Sequence, residues 1–373
     1  MRRGRTGPAL RLSEGTTGLR AQLRLAPASW VPDKPSPRLP KAAASRDNER
    51  MNQPLHPFKS VSYAGRAPGV RLLVTAAVHG NEVCGTHALR RLIEELDRGE
   101  VVVSRGTLTL VPVTNPLAFK QGTRNGDRNL NRALGPAAVP REFEDHVANW
   151  LCPLMSGHEV LLDLHSFNAQ GKPFAMLGPR NNREGTEPFR HAAEEEAWVQ
   201  VLGVDRVVDG WLGTYARGVA RRREEAGERA AGLDLNPNYG VGTTEYMRSI
   251  GGRALTLECG QHQDPQAPEV AYQAVRRTLA HFGLTDEAAP ARVQGIETLT
   301  LHEVVDKRHP QDRFVRDWQS FDALKAGDLI GVREDGQEVR APGQGRIVFP
   351  NSAASARQEW FYLAQPNTRL AGD

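Results

Sequence analysis

The chain has 373 residues, 39% of them hydrophobic and 25% charged, enough for two soluble domains and without the roughly 18 to 20 consecutive apolar residues that a membrane helix needs. Eleven of the 48 Lys and Arg residues but only four of the 44 Asp and Glu residues fall in residues 1–50, so that segment carries +7 and the remainder −3, which leaves no basis for a nucleic-acid surface on the folded part. The three cysteines, Cys84, Cys152 and Cys259, form no CxxC pair, which argues against a disulfide framework and for a reducing, cytoplasmic setting.

Residues 1–50 are rich in Arg, Pro, Ala, Ser and Gly and show no sustained period, so they read as a disordered basic extension. Their Arg-rich, acid-poor composition resembles an organelle transit peptide; the alternative is that translation starts at Met51, just before the first strand-like segment. Val70 to Val78 then reads as a buried strand, and Leu89, Leu92, Ile93 and Leu96 repeat at helical spacing. Thr107 to Val113 reads as a second strand, stopped by Asn115-Pro116. Phe143, Val147, Trp150 and Leu151 mark another helix, and Val160 to Leu164 a short buried strand. The charged stretch 183–232, including Arg221 to Glu225, reads as a solvated helix face. Ala254 to Leu257 is a further strand, and Ala271, Val275, Leu279 and Phe282 mark a closing helix.

This alternation predicts an α/β domain over residues 51–288, with a mixed, largely parallel sheet flanked by helices. Asp286 to Arg292 reads as a linker. After it, Glu297 to Val305, Asp328 to Val332 and Gly345 to Phe349 are strand-like runs between Gly, Pro and Asp turns, which predicts a small all-β domain over residues 293–373.

The chemistry-bearing residues follow the strands. His79-Gly80-Asn81-Glu82 comes directly after one, at the sheet edge where α/β proteins place their crevices. A His and a Glu three apart in a tight turn can face one ion, although HxxE alone is a weak signal. His165 follows another short strand and completes a set of two His and one carboxylate, a known ligand set for catalytic zinc. Co²⁺ or Mn²⁺ would tolerate the same set. Asp163 either hydrogen-bonds behind His165 or points to the other face of its strand. Glu258 ends a third apolar strand, where a carboxylate needs a partner or a task; hydrolysis of an amide by metal-activated water needs such a base. Arg124-Asn125-Gly126-Asp127-Arg128-Asn129-Leu130-Asn131-Arg132 is by itself a surface loop. Beside a zinc site it offers forked donors to a substrate carboxylate and a developing oxyanion.

Together, His79 to Glu82, Asn131-Arg132, Asp163-Leu164-His165 and Glu258-Cys259-Gly260 resemble the succinylglutamate desuccinylase and aspartoacylase family, relatives of the zinc carboxypeptidases, over roughly residues 70 to 285. Residues 293 to 365 also look like the family's C-terminal β module. The resemblance implies one zinc ion per chain on His79, Glu82 and His165, with Glu258 as general base. It implies that Asn131 and Arg132 grip the carboxylate of an N-acyl amino acid and that Arg124, or its neighbour Arg128, polarises the carbonyl. Arg248 matches an arginine that touches substrate in aspartoacylase, but the surrounding Thr243 to Met247 departs from the aspartoacylase pattern, so a preference for aspartate does not transfer. The expected activity is hydrolysis of the amide bond in a small, carboxylate-bearing N-acyl amino acid or related acyl compound. The rival expectations are a metallocarboxypeptidase acting on peptides and a non-catalytic metal- or carboxylate-binding protein.

Overall fold

The computed structural model describes residues 57–226 and 236–371; the basic extension of residues 1–50 lies outside them. The described residues include fourteen strands and seven α-helices. In chain order they are β1 (Val61–Ala64), β2 (Ala67–Ala76), α1 (Cys84–Asp97), β3 (Arg105–Val111), α2 (Pro116–Gln121), α3 (Phe143–Ser156), β4 (Val160–Phe167), β5 (Phe174–Met176), α4 (Ala192–Val199), β6 (Arg206–Asp209), α5 (Trp211–Ala226), α6 (Thr243–Ser249), β7 (Arg253–Gln261), α7 (Ala267–His281), β8 (Glu297–Asp306), β9 (Arg313–Phe314), β10 (Ala323–Leu324), β11 (Leu329–Val332), β12 (Glu338–Arg340), β13 (Gly345–Val348) and β14 (Glu359–Pro366).

Eleven strands form one sheet in the order β1-β3-β2-β4-β7-β5-β6-β8-β14-β13-β10. The pairs β3/β2, β2/β4 and β4/β7 at its centre are parallel, as expected of strands joined by helical crossovers. Such strands are covered on both faces and therefore read as unbroken apolar runs. Leu72, Val74 and Ala76 of β2 and Val160, Leu162 and Leu164 of β4 pack with Leu89 and Leu92 of α1 and Val275 and Leu279 of α7. The alternate residues Leu73 and Leu161 face the opposite side, against Val147, Leu151 and Met155 of α3. Period-two alternation thus divides each central strand between two cores. Among the described residues, no helix is long and apolar enough to cross a membrane.

The all-β C-terminal region is hydrogen-bonded to this sheet. β6 pairs with β8 in parallel, and β8 continues through β14 and β13 to β10, while β9, β11 and β12 form a separate three-stranded sheet. The junction closes the edge that β6 would otherwise expose. Strands β1, β5 and β6 are too short to give a clear sequence pattern. β14 is missing from the sequence-based expectation, although its buried core, Trp360 to Ala364, is an unbroken apolar run like those of the central strands. The charged stretch over α5 is also more than a solvated face. Arg222 is buried, and its Nε and Nη2 donate to Asp306 at 2.8 and 2.6 Å.

Candidate active site

The turn after β2 carries His79 and Glu82. Ala77 adopts a left-handed backbone (φ 48°), which costs energy in a residue with a side chain. The turn is pinned by Thr114 N–H on Ala76 O (2.9 Å) and Asn115 N–H on Ala77 O (3.0 Å). Gly80 then passes so close to α2 that a Cβ would lie 2.0 Å from the Ala118 carbonyl carbon, which explains a glycine between the two functional residues. β4 brings His165 to the same place. The ligand-type atoms of His79, Glu82 and His165 all lie within 4.8 Å of one another, and all three residues are buried.

Their hydrogen bonds orient the lone pairs. His79 Nε2 lies 3.1 Å from Asn129 Oδ1, an acceptor that fixes the proton on that nitrogen. His79 Nδ1 sits 2.9 Å from Glu82 Oε1, yet without the alignment of a hydrogen bond, so this buried atom has no hydrogen-bond partner. His165 Nε2 donates to Asp163 Oδ2 at 2.7 Å, and its Nδ1 lies 2.8 Å from Glu82 Oε2. Asp163 therefore shares the strand face of His165, as residues two apart must. It also accepts from Thr75 Oγ1 at 2.7 Å and from Thr243 Oγ1.

Burial holds His79 down to about 4, with Arg124 adding to the fall, so the ring is neutral as a metal ligand must be. Burial also acts to lower His165, but Asp163 and Glu82 outweigh it and raise this imidazole well above its usual range. Glu82 lies well below the usual carboxylate range, because His79 and His165 together outweigh its burial. The site therefore holds a positive charge between carboxylates where a cation would bind. That charge pattern, the orphaned Nδ1 and the donor set fit a catalytic-type metal site.

Glu258 stands opposite His165 in the β4–β7 register. It is 8% exposed, and its Oε2 has no hydrogen-bond partner. Burial pushes its carboxyl up to about 8; His165 opposes the rise and Glu82 adds to it.

The basic loop is held from below by Glu144 of α3, which sequence reasoning missed. Glu144 Oε1 accepts from Asn115 Nδ2 (2.8 Å) and Gly126 N (2.9 Å), and Oε2 from Asp127 N and Arg128 N (both 3.1 Å). This fully buried carboxylate fixes the path of the loop. Arg124 Nη1 donates to Glu82 Oε1 at 2.8 Å. Arg128 turns the other way, to Asp145 at 2.9 Å and Arg132 O at 3.1 Å. Asn131 Oδ1 accepts from Thr243 N at 2.8 Å, an approach possible because residue 242 is glycine: a Cβ there would lie 2.1 Å from that oxygen. Arg132 is buried, with its guanidinium 5.0 Å from the Trp211 ring centroid and 3.9 Å from Glu359 of β14.

Arg124, Asn131, Arg132, Arg248 and Glu258 line, with the three ligand residues, one cavity of about 790 Å³. This volume suits a small molecule. The C-terminal region supplies part of the wall, through Phe349, Glu359 and Tyr362. Arg248 is 5% exposed and occupied: Nε donates to Glu195 Oε1 (2.9 Å), Nη1 to Glu187 Oε1 (2.9 Å) and Nη2 to Ala254 O (2.6 Å). Glu187, Glu195, Glu359 and Tyr362 were invisible in the sequence because each lies far along the chain from what it contacts. For Glu144, the paired acids Glu144 and Asp145 in the first turn of α3 are the one local signal, and acids are ordinary at a helix N-terminus.

Known proteins resemble this chain in sequence and fold. A family model described as "Succinylglutamate desuccinylase/Aspartoacylase catalytic domain" matches residues 68–282. The succinylglutamate desuccinylase of Shewanella sp. (strain MR-4) is 23% identical over 310 residues, covering 77% of this chain and 80% of its own. That of Pseudomonas paraeruginosa (strain DSM 24068 / PA7) is 25% identical over 304 residues, covering 77% and 81%. The crystal structure of a succinylglutamate desuccinylase/aspartoacylase from Rhodobacter sphaeroides shares the fold, with a TM-score of 0.62 at 15% identity over 83% of this chain and 89% of that one. The chain belongs to the succinylglutamate desuccinylase/aspartoacylase family.

Proposed function

We propose that the protein is a zinc-dependent hydrolase of the amide bond in an N-acyl amino acid. The observation that carries this reading is the convergence of His79, Glu82 and His165 within 4.8 Å, in the same cavity as a buried Glu258 carboxyl with an unpartnered oxygen. One zinc ion on those three residues would acidify a water molecule and polarise the carbonyl of the scissile amide.

The other groups define the rest of the reaction. A cation on His79, Glu82 and His165 would favour the ionised form of Glu258, whose Oε2 takes the proton of the attacking water as the water oxygen bonds to the carbonyl carbon. The same carboxyl then gives that proton to the amide nitrogen as the C–N bond breaks. Arg124, 2.8 Å from Glu82, supplies a guanidinium for the developing oxyanion. Asn131, its Oδ1 held by Thr243 N–H, keeps its amide donors for a substrate carboxylate, with Arg132 as the charged partner. The walls contributed by Phe349, Glu359 and Tyr362 support a small substrate over a long peptide.

Two measurements test the reading. Metal content by mass spectrometry should show about one zinc per chain, largely lost in His165→Ala. Glu258→Gln should retain the metal and lose at least about 100-fold in kcat on N-acyl amino acids; near-normal turnover would exclude Glu258 as the base.

A further inference from the structure

The part of the cavity lining around Arg248 has an unusual charge balance. Arg248 is the cation there, but each of its three nitrogens already donates to a protein oxygen, and Glu245 Oε1 lies a further 3.6 Å from Nη1. Three carboxylates, Glu187, Glu195 and Glu245, thus surround one guanidinium.

The three acids differ in what they leave available. Glu195 is fully buried and also accepts from Ala254 N (2.7 Å) and Gly178 N (3.0 Å). Glu245 accepts from Gly242 N at 2.9 Å and Thr244 Oγ1 at 3.0 Å. Glu187 spends Oε1 on Arg248, while its Oε2 accepts no hydrogen bond from a described residue. Glu187, Glu245 and Arg248 all line the cavity, together with Glu258 and its unpartnered buried oxygen. Burial pushes Glu187 up to about 7; Arg248 opposes this, while Glu245 and Glu195 add to it.

A second carboxylate on the substrate would meet a guanidinium already shared among three carboxylates, and so an excess of negative charge, which is a repulsive element in specificity. An ammonium group would meet an unused carboxylate oxygen and offset the excess. We propose that the Glu187–Glu245 part of the cavity selects N-acyl amino acids whose side chain carries an ammonium group and rejects those with a side-chain carboxylate. This rests on the deacylase reading above, in which Asn131 and Arg132 take the α-carboxylate.

The test is isothermal titration of the zinc-supplied full chain with ornithine, norvaline and glutamate. These share the α-amino and α-carboxylate groups and differ at the side-chain end. Ornithine should bind roughly tenfold or more tightly than norvaline, and glutamate more weakly than norvaline. Glu187→Gln should shrink the ornithine-to-norvaline ratio severalfold. Glutamate binding more tightly than ornithine, or an unchanged ratio in Glu187→Gln, would overturn the proposal. Hydrolysis of N-acetylnorvaline and N-acetylornithine, measured in parallel, separates the two ideas. Hydrolysis with glutamate preferred sinks only the selectivity. No hydrolysis of N-acetylnorvaline or N-acetylornithine, with the ornithine preference intact, sinks the deacylase reading and leaves only the preference of this part of the cavity for an ammonium group.

Discussion

Asp163 lies two residues before His165 on β4 and accepts the proton of His165 Nε2 at 2.7 Å. This contact directs the other ring nitrogen, Nδ1, toward Glu82 and the point that His79 also faces. Two hydroxyls, from Thr75 and Thr243, hold Asp163 in turn, so the orientation of one imidazole depends on β2, β4 and α6 together.

Replacing Asp163 by Asn keeps the shape and removes the charge. The expected result is a metal affinity lower by about 10- to 100-fold, with the fold retained. Chelator competition measures the first and far-ultraviolet circular dichroism the second. An unchanged affinity would show that His165 is oriented without Asp163.

The raised Glu258 carboxyl predicts a pH effect in metal-free protein. Its folded value of about 8 lies above the ordinary glutamate value of 4.5, so between those two the folded state holds a proton that the unfolded state has released. Stability therefore falls as pH rises from about 4.5 to about 8. Glu258→Gln removes this term. Urea melts of the chelated proteins should show the variant gaining on wild type between about pH 5 and pH 8. A constant difference across that window would mean that Glu258 titrates normally.

Glu144 anchors the loop from Gly126 to Arg128 through three backbone N–H groups and Asn115 through its side chain. Glu144→Ala should cost about 3 kcal/mol or more, because several buried donors lose their acceptor. In the folded fraction, kcat/KM should fall at least about tenfold as Arg124, Asn131 and Arg132 lose their placement. Urea denaturation beside steady-state kinetics separates the two effects. A variant with wild-type kinetics would mean that the loop holds its shape unaided.

Gly80→Ala sets a methyl group against the Ala118 carbonyl. Overpacking against backbone should destabilise the protein by about 3 kcal/mol and displace His79 from Glu82. Paired melts with and without added zinc would reveal this as a smaller metal-induced rise in Tm. A full rise would show that α2 can yield.

Much of the architecture was legible in the sequence because the central strands are buried on both faces. Leu72 to Ala76 and Val160 to Leu164 need apolar side chains almost throughout, and such runs stand out between amphipathic helices. The register was not legible. β4 and β7 remain paired as far as Phe167 and Gln261, so His165 and Glu258 face each other within the sheet and not in loops beyond it. The junction of β6 with β8 was equally hidden, since four-residue edge strands have little pattern of their own.

The sequence by itself determined which atoms were available for chemistry. His79 and Glu82 follow an apolar strand and His165 and Glu258 stand at the ends of apolar runs within theirs, and a metal–base set requires those side-chain types in short local motifs. Tertiary structure decided what those atoms and their neighbours are free to do. Asn129 orients His79 from 50 residues away, and Glu144 fixes the basic loop. The resemblance assigns Arg248 a contact with substrate, and Glu195 and Glu187, 53 and 61 residues away along the chain, engage it. A charge announces itself in a sequence, whereas its neutralisation depends on partners that only folding brings within hydrogen-bond distance.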